Sequence, residues 1–146
     1  MKQLLNLTRC LAVAGLFASC QSVQQEANYQ VIPLPQEIVV EQGAPFILKT
    51  GVKILYPEGN EKMQRNAKFL ADYLKTATGK DFTIEAGTEG RNAIILALGT
   101  ENENPEAYQL KVAGDGVTIT GSTEAGVFYG IQSLRKSLPI ATGVNI

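Results

Sequence analysis

The stretch Ala125-Gly126-Val127-Phe128-Tyr129-Gly130-Ile131-Gln132-Ser133-Leu134 decides how the rest of the chain is read. Val127, Ile131, Leu134 and Leu138 follow one another at spacings of four, three and four residues, the repeat of one face of an α-helix. Ser122 or Thr123 can cap the start of this helix, and the pattern runs to about Ser137. Phe128 and Tyr129 fall off the stripe. A helix that is apolar beyond one face buries a second surface, either against a partner domain or against the edge of its own, and spacing leaves both open.

Upstream of this helix the period changes from helical to alternating. Tyr108, Leu110 and Val112 alternate with Gln109 and Lys111, and Val117 and Ile119 alternate with Thr118 and Thr120, which gives each run one wet and one dry face. Gly114-Asp115-Gly116 between them tolerates positive φ, so the pair reads as an antiparallel hairpin. Further strands are predicted at Phe46-Ile47-Leu48, Val52 to Tyr56, Phe82-Thr83-Ile84 and Ala93 to Leu98. A second helix is predicted over Asn60 to Thr78. Asn60 caps it, Gly79 ends it, and Met63, Ala67, Leu70, Ala71, Leu74 and Ala77 share one face while Lys62, Arg65, Asp72 and Lys75 look to solvent. Two prolines in Val31-Ile32-Pro33-Leu34-Pro35 hold the entry to the domain extended and outside any central strand. The fold expected from these elements is an α+β two-layer sandwich, a mostly antiparallel sheet with two helices on one face.

Composition narrows the chemistry. The 146 residues carry 13 basic and 14 acidic side chains, so no clustered positive field marks a nucleic-acid partner. With no histidine, imidazole is excluded as base, nucleophile or metal ligand. Tryptophan is also absent, and a sugar platform would have to be built from the five Tyr and five Phe. The two cysteines, Cys10 and Cys20, both precede the domain, which leaves it without disulfide or thiol chemistry.

Residues 1–20 read as an export signal, with Lys2 in a positive opening and a nine-residue apolar run from Cys10 to Ala18, well short of the roughly 20 residues that span a bilayer. Its end, Leu16-Phe17-Ala18-Ser19-Cys20, resembles a bacterial lipobox, which implies lipid attachment at Cys20 and a membrane contact through that anchor. Phe17 departs from the usual aliphatic residue and keeps ordinary cleavage after Ala18 or Ser19 open. The location expected is periplasmic or outer-membrane-associated, or else secreted. Residues 21–28 are polar and unpatterned, a flexible tether.

The candidate reactive groups are weak. Glu101, Glu103 and Glu106 crowd into one segment, and glycosidases work with carboxylate pairs, but the segment has the composition of a solvated loop rather than a site that raises a carboxyl pKa. Its spacing also lacks the order of a calcium loop. Gly87 to Arg91 leads into a strand, not a helix, and has no Lys-Ser/Thr pair to cradle phosphate. Asp115 is accounted for by its turn. Tyr129 and Gln132 share a helix face and present hydrogen-bonding groups, as a helix facing a partner domain also would. No catalytic, cofactor-binding or metal-ligating residue is assigned.

The segment Ala125 to Leu134 resembles the helix that ends the non-catalytic N-terminal domain of family 20 glycoside hydrolases, the β-N-acetylhexosaminidases. Tyr29-Gln30-Val31-Ile32-Pro33-Leu34-Pro35-Gln36 looks like the opening of that domain, and Glu106-Ala107-Tyr108-Gln109-Leu110 and Val117-Thr118-Ile119-Thr120-Gly121 look like its strands. The resemblance runs in family order from Tyr29 to Pro139, and related domains precede the barrels of a few other glycosidase families. In family 20 a (β/α)₈ barrel follows and carries the chemistry, and a barrel of about 250 residues has no room here. The resemblance implies hydrolysis of terminal non-reducing N-acetylhexosamine residues with retention, the substrate's acetamido oxygen attacking the anomeric carbon while a glutamic acid protonates the leaving oxygen. That acid belongs to a His-x-Gly-Gly-Asp-Glu-like motif, which a chain without histidine cannot hold, so none of its residues carries over.

The expected organisation is therefore a signal peptide at 1–20, a tether at 21–28, the α+β domain at 29–139 and, at 140–146, the start of a linker to an absent catalytic barrel. The barrel is the expected partner, and glycan is reached only through it. The chain alone is expected to be inert. A rival reading of the same residues is a complete small surface lipoprotein that binds glycans or proteins without catalysis.

Overall fold

The computed structural model describes residues 27–138 apart from Pro33, Glu41 and Glu101. The segment predicted to be an export signal, Cys20 and the residues from 139 onward lie outside the described residues. Five strands and two helices are formed among them: β1 (Lys53–Tyr56), α1 (Glu61–Thr78), β2 (Thr83–Ala86), β3 (Ala93–Leu98), β4 (Tyr108–Ala113), β5 (Gly116–Gly121) and α2 (Glu124–Ser137). Both helices begin and end where their sequence says. The Asn60 side chain accepts the Met63 amide at 3.0 Å, and Gly79 stops α1 in the left-handed region at φ 69°. Thr123 caps α2 by accepting from the amides of Ala125 and Gly126.

The strands form one sheet in the order β2-β1-β3-β5-β4. Ile54, Ile94, Leu96, Val117 and Ile119 point to the helices from its central strands, and all are essentially inaccessible to water. They meet Met63, Ala67, Leu70 and Leu74 of α1 and Val127, Ile131 and Leu134 of α2, which close a single core. The opposite face carries Lys53, Thr83, Gln109 and Lys111, all exposed, so the alternation read in the sequence sorts wet from dry.

The α+β two-layer arrangement holds, and the mostly antiparallel sheet is matched only in part. Only β4 and β5 pair antiparallel, Val112 opposite Val117, across the turn at Gly114-Asp115. The pairings β1 with β2, β1 with β3, and β3 with β5 are parallel, making a mixed sheet. The reason lies in the connections. Helix α1 carries the chain from the end of β1 back to the start of β2, the usual crossover between parallel neighbours. From β2 the chain returns in only six residues, 87–92, across the wet face of β1. Gly87 and Gly90 of that return lie on the Leu55 side chain, which leaves Leu55 buried on the otherwise polar face. Asn92 ends the return at φ 54°, a conformation its short side chain tolerates, and its side-chain amide donates to the Gly51 carbonyl at 3.2 Å. Finally, β5 inserts between β3 and β4, which adjacency in sequence does not anticipate.

The strand predicted at Phe46-Ile47-Leu48 is not formed. Phe46 and Leu48 are half-buried against the core and Ile47 is exposed, so the alternation is real, but no strand pairs with the segment among the described residues. The segment is tied to two turns instead: Ala44 lies against Gly114 in the β4–β5 turn, and Lys80 beyond α1 donates to the Leu48 carbonyl at 3.1 Å.

Candidate functional site

The inner side of α2 is flattened by glycine. A methyl group at Gly126 would strike the Ala107 carbonyl, and one at Gly130 would strike Ile119 and the Tyr108 ring. The two glycines stand four residues apart on one face, so α2 lies close on β4 and β5. Ser133, the next polar residue along this side, is buried and shares a 2.5 Å hydrogen bond with the Tyr108 hydroxyl.

The outer side is built differently. Phe69 of α1 and Phe128 of α2 stack across the helix pair with ring centroids 5.3 Å apart, and Tyr129 stands edge-on to Phe128 at 6.1 Å. All three remain more than a third exposed. The Arg135 guanidinium lies 4.1 Å from the Tyr73 ring centre and 5.0 Å from that of Phe69. Its Nη1 donates to Gln132 Oε1 at 2.6 Å, while the Tyr73 hydroxyl donates to the Arg135 carbonyl at 3.2 Å. Arg135 Nε is buried and has no hydrogen-bond partner among the described residues.

At one end of this face the two helix N-termini meet. The Asn60 amide donates to Glu124 Oε1 at 3.1 Å, the Asn66 amide donates to the Glu124 carbonyl at 2.9 Å, and Lys62 Nζ stands 4.0 Å from Glu124 Oε2. Hydrogen bonding to its own backbone and to Asn60, with the nearby Lys62 charge, holds the Glu124 carboxyl below its ordinary range. Two depressions open here to solvent. One, of 580 Å³, is lined by Asn60, Lys62, Arg65 and Glu124, and the other, of 340 Å³, reaches Phe128 and Tyr129.

The residues weighed from sequence stay apart from any enclosed site. Glu103 and Glu106 are exposed on a loop whose turns are made by Asn102 and Asn104, each accepting an amide two residues on at 2.9 Å. Glu101 lies outside the described residues. Asp115 occupies its turn, with Arg91 at 4.0 Å. Tyr129 and Gln132 do share the outer face, where Gln132 turns to Arg135 and Tyr129 donates to Glu106 Oε1 at a long 3.5 Å. No three His, Cys, Asp or Glu side chains among the described residues converge as metal ligands. Sequence reasoning passed over Arg135, Phe69 and Tyr73, because nothing in one helix names its neighbour across the groove. The Gly-x-x-x-Gly spacing in α2 was visible, and it signals close packing.

This helix face combines stacked aromatics with an arginine held over two rings. The model of glycosyl hydrolase family 20, domain 2, matches residues 28–145. A β-hexosaminidase of Porphyromonas gingivalis is 31% identical over 138 residues, which cover 93% of this chain and 17% of that protein. The β-N-acetylhexosaminidase of Streptomyces coelicolor A3(2) superposes with a TM-score of 0.69 at 34% identity, over 79% of this chain and 23% of that one. The N-acetyl-β-hexosaminidase of Streptomyces plicatus gives 0.66 at 35% identity, over 76% and 21%. The chain thus spans about a fifth of the length of these relatives. It belongs to glycosyl hydrolase family 20, as the non-catalytic N-terminal domain of that family.

Proposed function

We propose that this domain supports the catalytic barrel of an exported β-N-acetylhexosaminidase that removes terminal non-reducing N-acetylhexosamine from glycans. The observation that carries the reading is the match of nearly the whole folded chain to a small part of hexosaminidases. The outer face of the helix pair supports it: Phe69, Phe128 and Tyr129 form a connected aromatic surface on the side away from the sheet, the kind of surface a second domain covers. Export rests on the signal at residues 1–20 and membrane attachment on Cys20, with the periplasm or outer membrane as the destination.

The test is to express the whole reading frame downstream of the Ile146 codon beside residues 1–146 alone, and to assay both on a chromogenic N-acetylglucosaminide. Activity is expected only with the longer product, and turnover by the short chain refutes the reading. Cys20→Ser is expected to abolish incorporation of labelled fatty acid, and undiminished labelling excludes that anchor.

A further inference from the structure

The stacked arginine on the outer helix face says what kind of surface covers it. Arg135 is held by two rings, and Gln132 engages only Nη1. The ion pairs among the described residues use Lys53, Lys62, Lys75 and Arg91, so Arg135 has no carboxylate partner among the described residues. A guanidinium held over aromatic rings has its fork of donors pre-oriented, and the group that matches the fork is a carboxylate taking two parallel hydrogen bonds. Nε is buried within the domain, so the fork offered to a partner is the terminal pair, Nη1 and Nη2, of which Nη1 is shared with Gln132.

The surroundings point the same way. Lys62 and Arg65 line the depression that runs to Phe128 and Tyr129, and Glu124, the one acidic side chain lining it, is already engaged by Asn60 and Lys62. The face is therefore aromatic, with Lys62 and Arg65 on its α1 side and Glu106 beside Tyr129, and the complement of its Arg135 side is an apolar surface bearing acidic side chains. Most of the length of each relative lies outside the part matched by this chain, so a second domain of the same polypeptide is at hand to supply that surface.

We propose that Arg135 anchors the interface with the catalytic domain by receiving an Asp or Glu of that domain, seated over Phe69 and Phe128. This rests on the reading given under Proposed function. In that interface Arg135 is the buried aromatic-flanked cation and Lys62 and Arg65 are its rim.

The experiment uses the enzyme expressed from the whole reading frame with Arg135→Lys, which places an amine where the guanidinium stood. Carbodiimide coupling joins amines to carboxylates in salt-bridge contact, and peptide mass spectrometry locates the bond. The Lys53–Glu85 pair, 2.9 Å apart, is the internal control. A new crosslink from position 135 to an Asp or Glu of the catalytic domain is expected. With the control bond formed, no crosslink at 135, or one confined to this domain or to a second copy, overturns the proposal. Because lysine is shorter than arginine, Arg135→Met is measured alongside: release of the domain by limited proteolysis is expected to quicken severalfold while KM stays unchanged. An unchanged release rate overturns the proposal as well. If the whole reading frame encodes no active glycosidase, the functional reading itself fails. An active enzyme without the crosslink sinks only the role of Arg135.

Discussion

The two sides of α2 solve different problems with the same fourteen residues. Toward the sheet, glycines at 126 and 130 bring the helix backbone down onto β4 and β5, and Val127, Ile131 and Leu134 fill what space remains. Away from the sheet, Phe128, Tyr129 and Arg135 are large, connected to Phe69 and Tyr73 of α1, and left partly open to water. The inner side is finished within this domain: Gly126 and Gly130 lie on Ala107, Ile119 and Tyr108, Ser133 bonds Tyr108, and Val127, Ile131 and Leu134 join the core. The outer side is organised but not covered. The difference teaches that burial and order are separate properties: aromatic stacking and a cation over two rings fix the outer side chains without removing them from solvent.

The contrast can be broken most directly from the inside. Ile131→Ala deletes a fully buried side chain and is expected to lower the unfolding free energy by about 2–5 kcal/mol, read from the urea midpoint of the chain. A loss below about 1 kcal/mol would mean that the inner side is no better packed than the outer. Gly130→Ala is the sharper probe. Alanine is about 1 kcal/mol better than glycine in a helix interior, so a gain is expected wherever space allows. Here the added methyl meets Ile119 and Tyr108, and a net loss of up to about 2 kcal/mol is expected instead, an overpacking cost of ~1–3 less that gain. A stabilised variant would show that α2 does not sit as close to the sheet as the glycines imply.

On the outer side the expected effects are smaller. Phe128→Ala loses its stack with Phe69 and is expected to cost the chain by itself roughly 0.5–1.5 kcal/mol. A loss as large as that of Ile131→Ala would erase the distinction between the sides. The smallest effect concerns Glu124 where the helices meet. Its carboxyl is held below the ordinary value of 4.5, so its contribution to stability is fully present above pH 4.5 and disappears as pH falls through the lower folded value. The difference in melting temperature between the native chain and Glu124→Gln is expected at neutral pH and to shrink toward zero in strong acid. A difference that grows on acidification would show that Asn60 and Lys62 do not favour the charged form.

Helix α1 shows how much one segment can declare. Asn60, the apolar repeat from Met63 to Leu74 and Gly79 specify its cap, buried face and end, and each acts within a few residues of chain. The β4–β5 hairpin is equally local, because a two-residue turn at Gly114-Asp115 allows only antiparallel neighbours. The parallel half of the sheet was illegible for the opposite reason. Which strand lies beside β1 depends on the six residues that fold back over Leu55 and on β5 entering between β3 and β4, and neither is a property of the strands themselves. Phe46 and Leu48 carry the same lesson. Alternation reports that two side chains face a core, not that a partner strand exists.

The outer face divides along the same line. The sequence marked Phe128 and Tyr129 as apolar residues off the core stripe, since a 3.6-residue period assigns a direction to every side chain of a helix. It did not single out Phe69, Tyr73 or Arg135, which on α1 and α2 read as ordinary boundary residues until the helices lie side by side. By itself the sequence determined the two helices, the hairpin, the family and the absence of imidazole chemistry, all of which are written in residue types and short spacings. Only the tertiary structure decided the order of the strands, the seat of the glycines on the sheet and the arginine held between rings, because each of these requires segments distant in the chain to meet, and contact between distant segments is set by packing rather than by local pattern.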